Sequence, residues 1–180
     1  MNMESENGFT LVELLISIVI VTTLLAMGVP AFKDFMKNNR LGAQSNALVT
    51  DLQVARSEAL KRVADTVICA SSNQTSCTGS ADWNKGWIVF SDLNQNGTPD
   101  IGLAPPLCED TEDCVLRTSG ALSGKNTITT SAASLRYLPT GLAASAETLT
   151  LVSNNCEYDQ TRKIEVTLQG HTIVTKQACP

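Results

Sequence analysis

With 180 residues, the chain is long enough for one domain with a genuine core, even after an apolar anchor is set aside. Its 13 basic and 18 acidic residues leave a net charge of -5 with no basic tract, which argues against a protein whose main partner is a nucleic-acid backbone. One histidine, six cysteines without a C-x-x-C pair, and no nucleophile-elbow or phosphate-cradling glycine motif exclude the common zinc, dithiol and hydrolase centres, so no catalytic residue is assigned.

The first predicted element is apolar. From Phe9 to Val29 the only ionisable side chain is Glu13. At about 1.5 Å of rise per residue this stretch makes a helix of roughly 30 Å, the thickness of a bilayer's hydrocarbon core. A cleaved secretory signal would need a basic n-region and a shorter apolar run, whereas Met1 to Gly8 carry Glu4 and Glu6 and no Lys or Arg. Glu13 is costly in such a helix, and a charge partner would offset the cost. The cheapest partner is an α-amine made by cutting just before Phe9.

The residues Gly8-Phe9-Thr10-Leu11-Val12-Glu13 resemble the class III signal of type IV pilins and type II secretion pseudopilins. The resemblance implies that a prepilin peptidase cuts after Gly8 and N-methylates Phe9. It also implies that Glu13 pairs with a neighbouring subunit's N-terminus during assembly. Leaders in that family usually carry Lys or Arg, and this one is acidic. Residues 1–8 are nonetheless expected to be a cytoplasmic leader, because cysteines beyond the anchor need an oxidising side and long domains translocate largely regardless of charge.

Pro30, after Gly28, is expected to remove a helical hydrogen bond and kink the helix at the membrane's outer edge. The family has a comparable proline. Beyond it, Leu41, Leu48, Leu52, Ala55 and Ala59 recur at helical spacing, while Gln44, Asp51, Arg56, Glu58 and Arg62 mostly fall off that face. Residues 30–62 therefore read as an amphipathic helix laid on a sheet.

After residue 64 the pattern turns to short β-rich runs: Thr66 to Ala70, Gly86 to Ser91, Leu135 to Tyr137, Thr148 to Val152, Lys163 to Leu168 and His171 to Lys176. Ile164, Val166 and Leu168 alternate as one buried face, and Gln169-Gly170 reads as a two-residue hairpin connection. The six cysteines, Cys69, Cys77, Cys108, Cys114, Cys156 and Cys179, all lie beyond the apolar run. They read as disulfides in an oxidising compartment. About 15 pairings exist; short spacings favour Cys69 with Cys77 and Cys108 with Cys114, leaving Cys156 with Cys179.

Asp92-x-Asn94-x-Asn96-Gly97-x-x-Asp100 has the oxygen spacing of the first half of a calcium loop, but position twelve is Leu103, where an EF-hand needs a bidentate Glu. Asp92, Asn94, Asn96 and Asp100 are thus a weak calcium candidate. The competing reading is a turn in which Asn and Gly tolerate positive φ.

Several head segments resemble the GspH pseudopilin and FimT/FimU minor pilin branch of the family. They are Ala55-Arg56-Ser57-Glu58-Ala59, Gly86-Trp87-Ile88-Val89-Phe90-Ser91-Asp92 with Asn94, Asn96 and Gly97, Leu135-Arg136-Tyr137-Leu138-Pro139-Thr140-Gly141, and the closing hairpin. The fold this implies is α+β, a long N-terminal helix, half transmembrane and half amphipathic, packed on antiparallel β-sheets. The organisation expected is a leader at 1–8, a transmembrane helix at 9–29, an amphipathic helix at 30–62 and a periplasmic β-rich head at 63–180. The implied role is a minor pilin near a filament tip, stored first as a single-pass bacterial inner-membrane protein. Its partners would be other pilins or pseudopilins, the prepilin peptidase and the inner-membrane assembly platform. The alternatives are a type II secretion pseudopilin and a DNA-uptake receptor. Some FimT proteins take up DNA through Gly-Arg-x-Arg, where this chain has Gly170-His171-Thr172-Ile173, so no nucleic acid is expected.

Overall fold

The computed structural model describes residues 9–100 and 113–180. One helix, α1, runs Leu11–Arg62 over 52 residues and passes through Pro30 without a break in its helical assignment. Eight strands follow: β1 Asp65–Ala70, β2 Trp87–Asp92, β3 Cys114–Ser119, β4 Thr127–Thr129, β5 Ser134–Tyr137, β6 Glu147–Val152, β7 Thr161–Val166 and β8 Thr172–Gln177. They form two antiparallel sheets ordered β3-β2-β1-β5 and β4-β6-β7-β8. The chain divides into two compact units, one ending at Met36 and the other spanning Lys37–Pro180.

In the N-terminal unit the apolar side chains are exposed, from Phe9 and Leu11 to Val29 and Phe32. Polar residues within this stretch satisfy themselves locally. Ser17 Oγ donates to the Glu13 carbonyl at 2.7 Å, and Thr23 Oγ1 to that of Val19 at 2.7 Å. Back-bonding of this kind hides a hydroxyl from a medium that offers no partner.

The second unit has its core where the predicted helix face meets both sheets. Leu41, Leu48, Leu52, Ala55 and Ala59 are fully buried against Ile68, Trp87, Val89, Leu135, Tyr137, Leu149, Leu151 and Ile164. Sheet β3-β2-β1-β5 is covered on its other face too, where Val67, Cys69, Ile88 and Phe90 make a second cluster with Cys77 and Val115. That is why β1 and β2 are buried at every residue and read as continuous apolar runs instead of alternating ones. The Cys69–Cys77 disulfide returns the chain after β1, and Cys156–Cys179 joins the approach to β7 to the residues after β8.

Three expectations need correction, and two strands went unpredicted. Asp51 is not on the solvent side of α1; it is buried, accepting from Trp87 Nε1 at 2.8 Å and Arg117 Nε at 3.0 Å. Those partners offset the desolvation that would otherwise exclude a carboxylate. Strands β3 and β4 had no clear periodic signal, because β3 is a half-exposed edge and β4 has one apolar residue, Ile128. Strand β7 begins at Thr161 and ends at Val166, so Leu168 lies in the turn and is 54% exposed. The β7–β8 connection is a three-residue loop, Leu168-Gln169-Gly170: Gly170 N donates to Thr167 O at 2.8 Å and Thr167 N to His171 O at 2.9 Å. Gly170 takes φ 76°, so the loop is a tight turn closed by a left-handed glycine bulge.

Candidate functional site

The segment singled out for assembly begins with Phe9 and Thr10, just ahead of α1. Glu13 lies in the first helical turn, and its N–H donates to Thr10 Oγ1 at 3.2 Å. Thr10 therefore caps the helix, with Glu13 three residues on, in the T-x-x-E pattern of a capping box. That pattern was open to view in the sequence, where the charge of Glu13 drew the attention instead. An acid here also complements the positive end of the helix dipole. Phe9 is 82% exposed, and Glu13 follows it within the first helical turn. Gly8 lies outside the described residues.

In the head, three segments distant in sequence converge on one side chain. Arg56 Nε donates to the Gly141 carbonyl at 3.0 Å, its Nη2 to the Gln169 carbonyl at 3.0 Å, and its Nη1 lies 3.3 Å from His171 Nδ1. A Cβ on Gly170 would collide with the Gly141 carbonyl and crowd Arg56 Nε. Arg56, Gly141 and Gly170 are thus one fastening between helix and hairpin, which gives the short head motifs a structural purpose. The Gly170-His171 position is spent on this contact. Of the basic residues that could form a DNA-facing surface, Arg136 pairs with Asp65 and Asp92, Lys163 with Glu165, and Arg162 is 8% exposed. Burial pushes the Arg162 pKa down, and Asp159 partly opposes that.

The polar turn after β2 closes on itself. Asp92 Oδ2 accepts from Gly97 N at 2.9 Å, and Asp100 Oδ2 receives both the Asn94 and Asn96 carboxamides, at 2.6 and 2.7 Å. Among the described residues no three Asp, Glu, His or Cys side chains stand as a ready metal-holding group. Sequence reasoning missed Asp113, which accepts from Leu93 N at 2.8 Å and Asp100 N at 3.1 Å and so joins this turn from β3's approach. Burial pushes the Asp92 carboxyl up, against the Gly97 N–H and Arg136, which favour its charge.

Cys69 bonds Cys77 and Cys156 bonds Cys179. Cys114 is also disulfide-bonded; Cys108, its expected partner, lies outside the described residues.

A family model described as type II transport protein GspH matches residues 44–170, which is most of the chain. The chain belongs to the GspH family. A second match, to the prokaryotic N-terminal methylation motif, covers residues 3–29. The type IV major fimbrial protein FimA of Dichelobacter nodosus (strain VCS1703A) is 26% identical over 118 residues, 62% of this chain and 65% of that protein's length. The chain therefore spans just under two thirds of that relative. In fold it is similar to the type IV minor pilin FimU of Pseudomonas aeruginosa PAO1, with TM-score 0.55, 21% identity, and 81% and 92% of the two chains covered. It is similar also to the minor pseudopilin EpsH of the Vibrio cholerae type 2 secretion system, with TM-score 0.50, 12% identity, and 76% and 97% covered. As a GspH-family member the chain is a structural pilin-like protein and not an enzyme, and its fold is that of the minor pilin and the minor pseudopilin. Its long apolar helix and methylation motif are those of a membrane-anchored pilin.

Proposed function

We propose that the chain is a minor pilin, cut between Gly8 and Phe9, N-methylated at Phe9, and drawn from the bacterial inner membrane into a type IV pilus near its tip. The observation that carries this reading is the methylation motif over residues 3–29, with Glu13 as the only ionisable side chain in the apolar run. The fimbrial relative supports a pilus as the destination. Disulfides in the head support a periplasmic location, since such bonds persist in oxidising compartments. The partners on this reading are neighbouring pilins through the N-terminal helix, the prepilin peptidase and the inner-membrane assembly platform.

The family's description favours a second reading, a pseudopilin of a type II secretion machine. Gene deletion separates the two: loss of surface pili supports the first, and blocked export of folded proteins with normal piliation supports the second. For both, intact-mass analysis of membrane-extracted protein should give a chain starting at Phe9 with one added methyl group. Removing Glu4 and Glu6 changes the formal charge from -5 to -3, since 13 basic residues then face 18 - 2 = 16 acidic ones. A mature N-terminus near residue 30 would make the apolar run an ordinary cleaved signal and overturn both.

A further inference from the structure

Three carboxylates are buried close together at the end of sheet β3-β2-β1-β5. Asp65 is 4% exposed, Asp92 0% and Asp113 5%. Asp65 and Asp92 are direct cross-strand partners in the β1–β2 register, a placement that like charges disfavour. Asp100 adds a fourth carboxylate through its backbone bond to Asp113. Among the described residues, the cation seen paired with this group is Arg136, whose Nη1 lies 3.3 Å from Asp65 Oδ2 and whose Nη2 lies 3.5 Å from Asp92 Oδ2. Three buried carboxylates thus face one guanidinium, in a place where uncompensated negative charge is costly, with exposed Asp100 at the rim.

The Asp92 side chain divides its work. Oδ2 accepts from Gly97 N and faces Arg136, whereas Oδ1 is buried without a hydrogen-bond partner among the described residues. A buried carboxyl oxygen without a partner leaves room for a proton, a water or a cation, and the donors around it distinguish these. The turn that Asp92 closes supplies hard oxygen donors. Asn94 Oδ1 accepts only the Asn96 N–H at 3.0 Å, and Asn96 Oδ1 accepts from Thr98, so the Asn94 oxygen at least keeps a spare lone pair. The Asn94 and Asn96 carboxamides and Asp100 already converge on one point. In this collapsed form, amide N–H groups stand where a positive ion would serve the Asp100 carboxylate better.

We propose that this turn is a calcium site, with Asp92 Oδ1, the Asn94 side-chain oxygen, Asp100 and Asp113 as its protein ligands. Calcium fits because all the donors are oxygens and the geometry is a flexible surface turn, which magnesium, with its demand for octahedral order, accepts poorly. Asp113, arriving from the strand opposite, provides the carboxylate that Leu103 does not provide at position twelve. The site does not depend on which filament the chain joins.

The test uses the full-length protein in detergent micelles, stripped with chelator and titrated with calcium chloride alone, by calorimetry and thermal melting. Calcium should bind with a Kd on the order of 10⁻⁴ to 10⁻³ M, the range of extracellular modules. At about 100 times that Kd the melting temperature should rise by several degrees, and magnesium should produce much less. Asn94→Ala, at an exposed position, should weaken binding about tenfold or more while the calcium-free form melts as the parent does. Asp92→Asn should lose binding without lowering the calcium-free melting temperature, because it removes a buried charge and keeps the shape. Absence of calcium binding, an equal response to magnesium, or parental affinity in both variants would overturn the proposal.

Discussion

Asp51 sits on the buried face of α1 with one oxygen on the Trp87 indole and the other on the Arg117 guanidinium. Trp87 is 1% exposed and lies in β2, while Arg117 reaches in from β3 with half its side chain in solvent. One carboxylate thus fixes the helix against two neighbouring strands. Asp51→Ala would strand the indole N–H in the core and release Arg117, at a cost of about 2 to 4 kcal/mol. Urea denaturation followed by tryptophan fluorescence should register that loss. Asp51→Asn, which can still accept from Trp87, should lose clearly less. Asp51 lies three residues after Leu48 and four before Ala55, so helical spacing set it beside the buried face, and only its charge made it read as solvent-facing. The partners that reverse the reading are 36 and 66 residues away.

At the scale of elements, the terminal hairpin shows both what the sequence pattern carries and where it stops. Ile164 and Val166 were legible as buried because period-two alternation has one meaning inside a sheet. Leu168 continued that alternation on paper, but the chain had already turned: Gly170 at positive φ places the bend one residue earlier than a two-residue loop would. The apolar part of the α1 face was legible, as five positions from Leu41 to Ala59 at helical spacing, whereas Ser45 and Asp51, buried on the same face, were not. Strand β4, three residues with one buried side chain, is defined by pairing Ile128 with Leu151 and could not be read locally. The acidic turn was half legible: its spacing marked Asp92 to Asp100, whereas Asp113 joins it only through β2–β3 pairing. Strand β8 is an edge, exposed along most of its length, and Cys156–Cys179 ties down the residues beyond it at a separation of 23. Closing a loop of that size stabilises by roughly 3 kcal/mol on the chain-entropy account. The double variant Cys156→Ser, Cys179→Ser should therefore melt lower by several degrees. Limited proteolysis should then cut first after residue 170, while the Cys69–Cys77 region stays protected.

For the molecule as a whole, the exposed apolar half of α1 needs a cover, which the proposed function supplies as lipid before assembly and neighbouring helices after it. Within that surface Glu13 has two physical explanations. As the third residue after the Thr10 cap it stands where the acceptor of a capping box would be, a local device that needs a side-chain acceptor and no charge. As the proposed partner of a neighbour's Phe9 amine, it needs the charge itself, and leaving that amine unpaired in a filament interior would cost about 3 to 5 kcal/mol. Two substitutions separate them. Glu13→Gln keeps the acceptor, the size and the capping pattern but removes the charge; Glu13→Val removes both. Membrane insertion should tolerate either, since each makes the helix more compatible with lipid. If charge pairing drives assembly, both variants remain membrane-bound and cut after Gly8, and both are depleted from sheared filaments when expressed as tagged copies beside the parent protein. If capping is the role, Glu13→Gln enters filaments as the parent does and only Glu13→Val is depleted. The pairing account predicts the first pattern, with depletion of at least tenfold in each variant at matched membrane levels, because the stranded amine is the same in both.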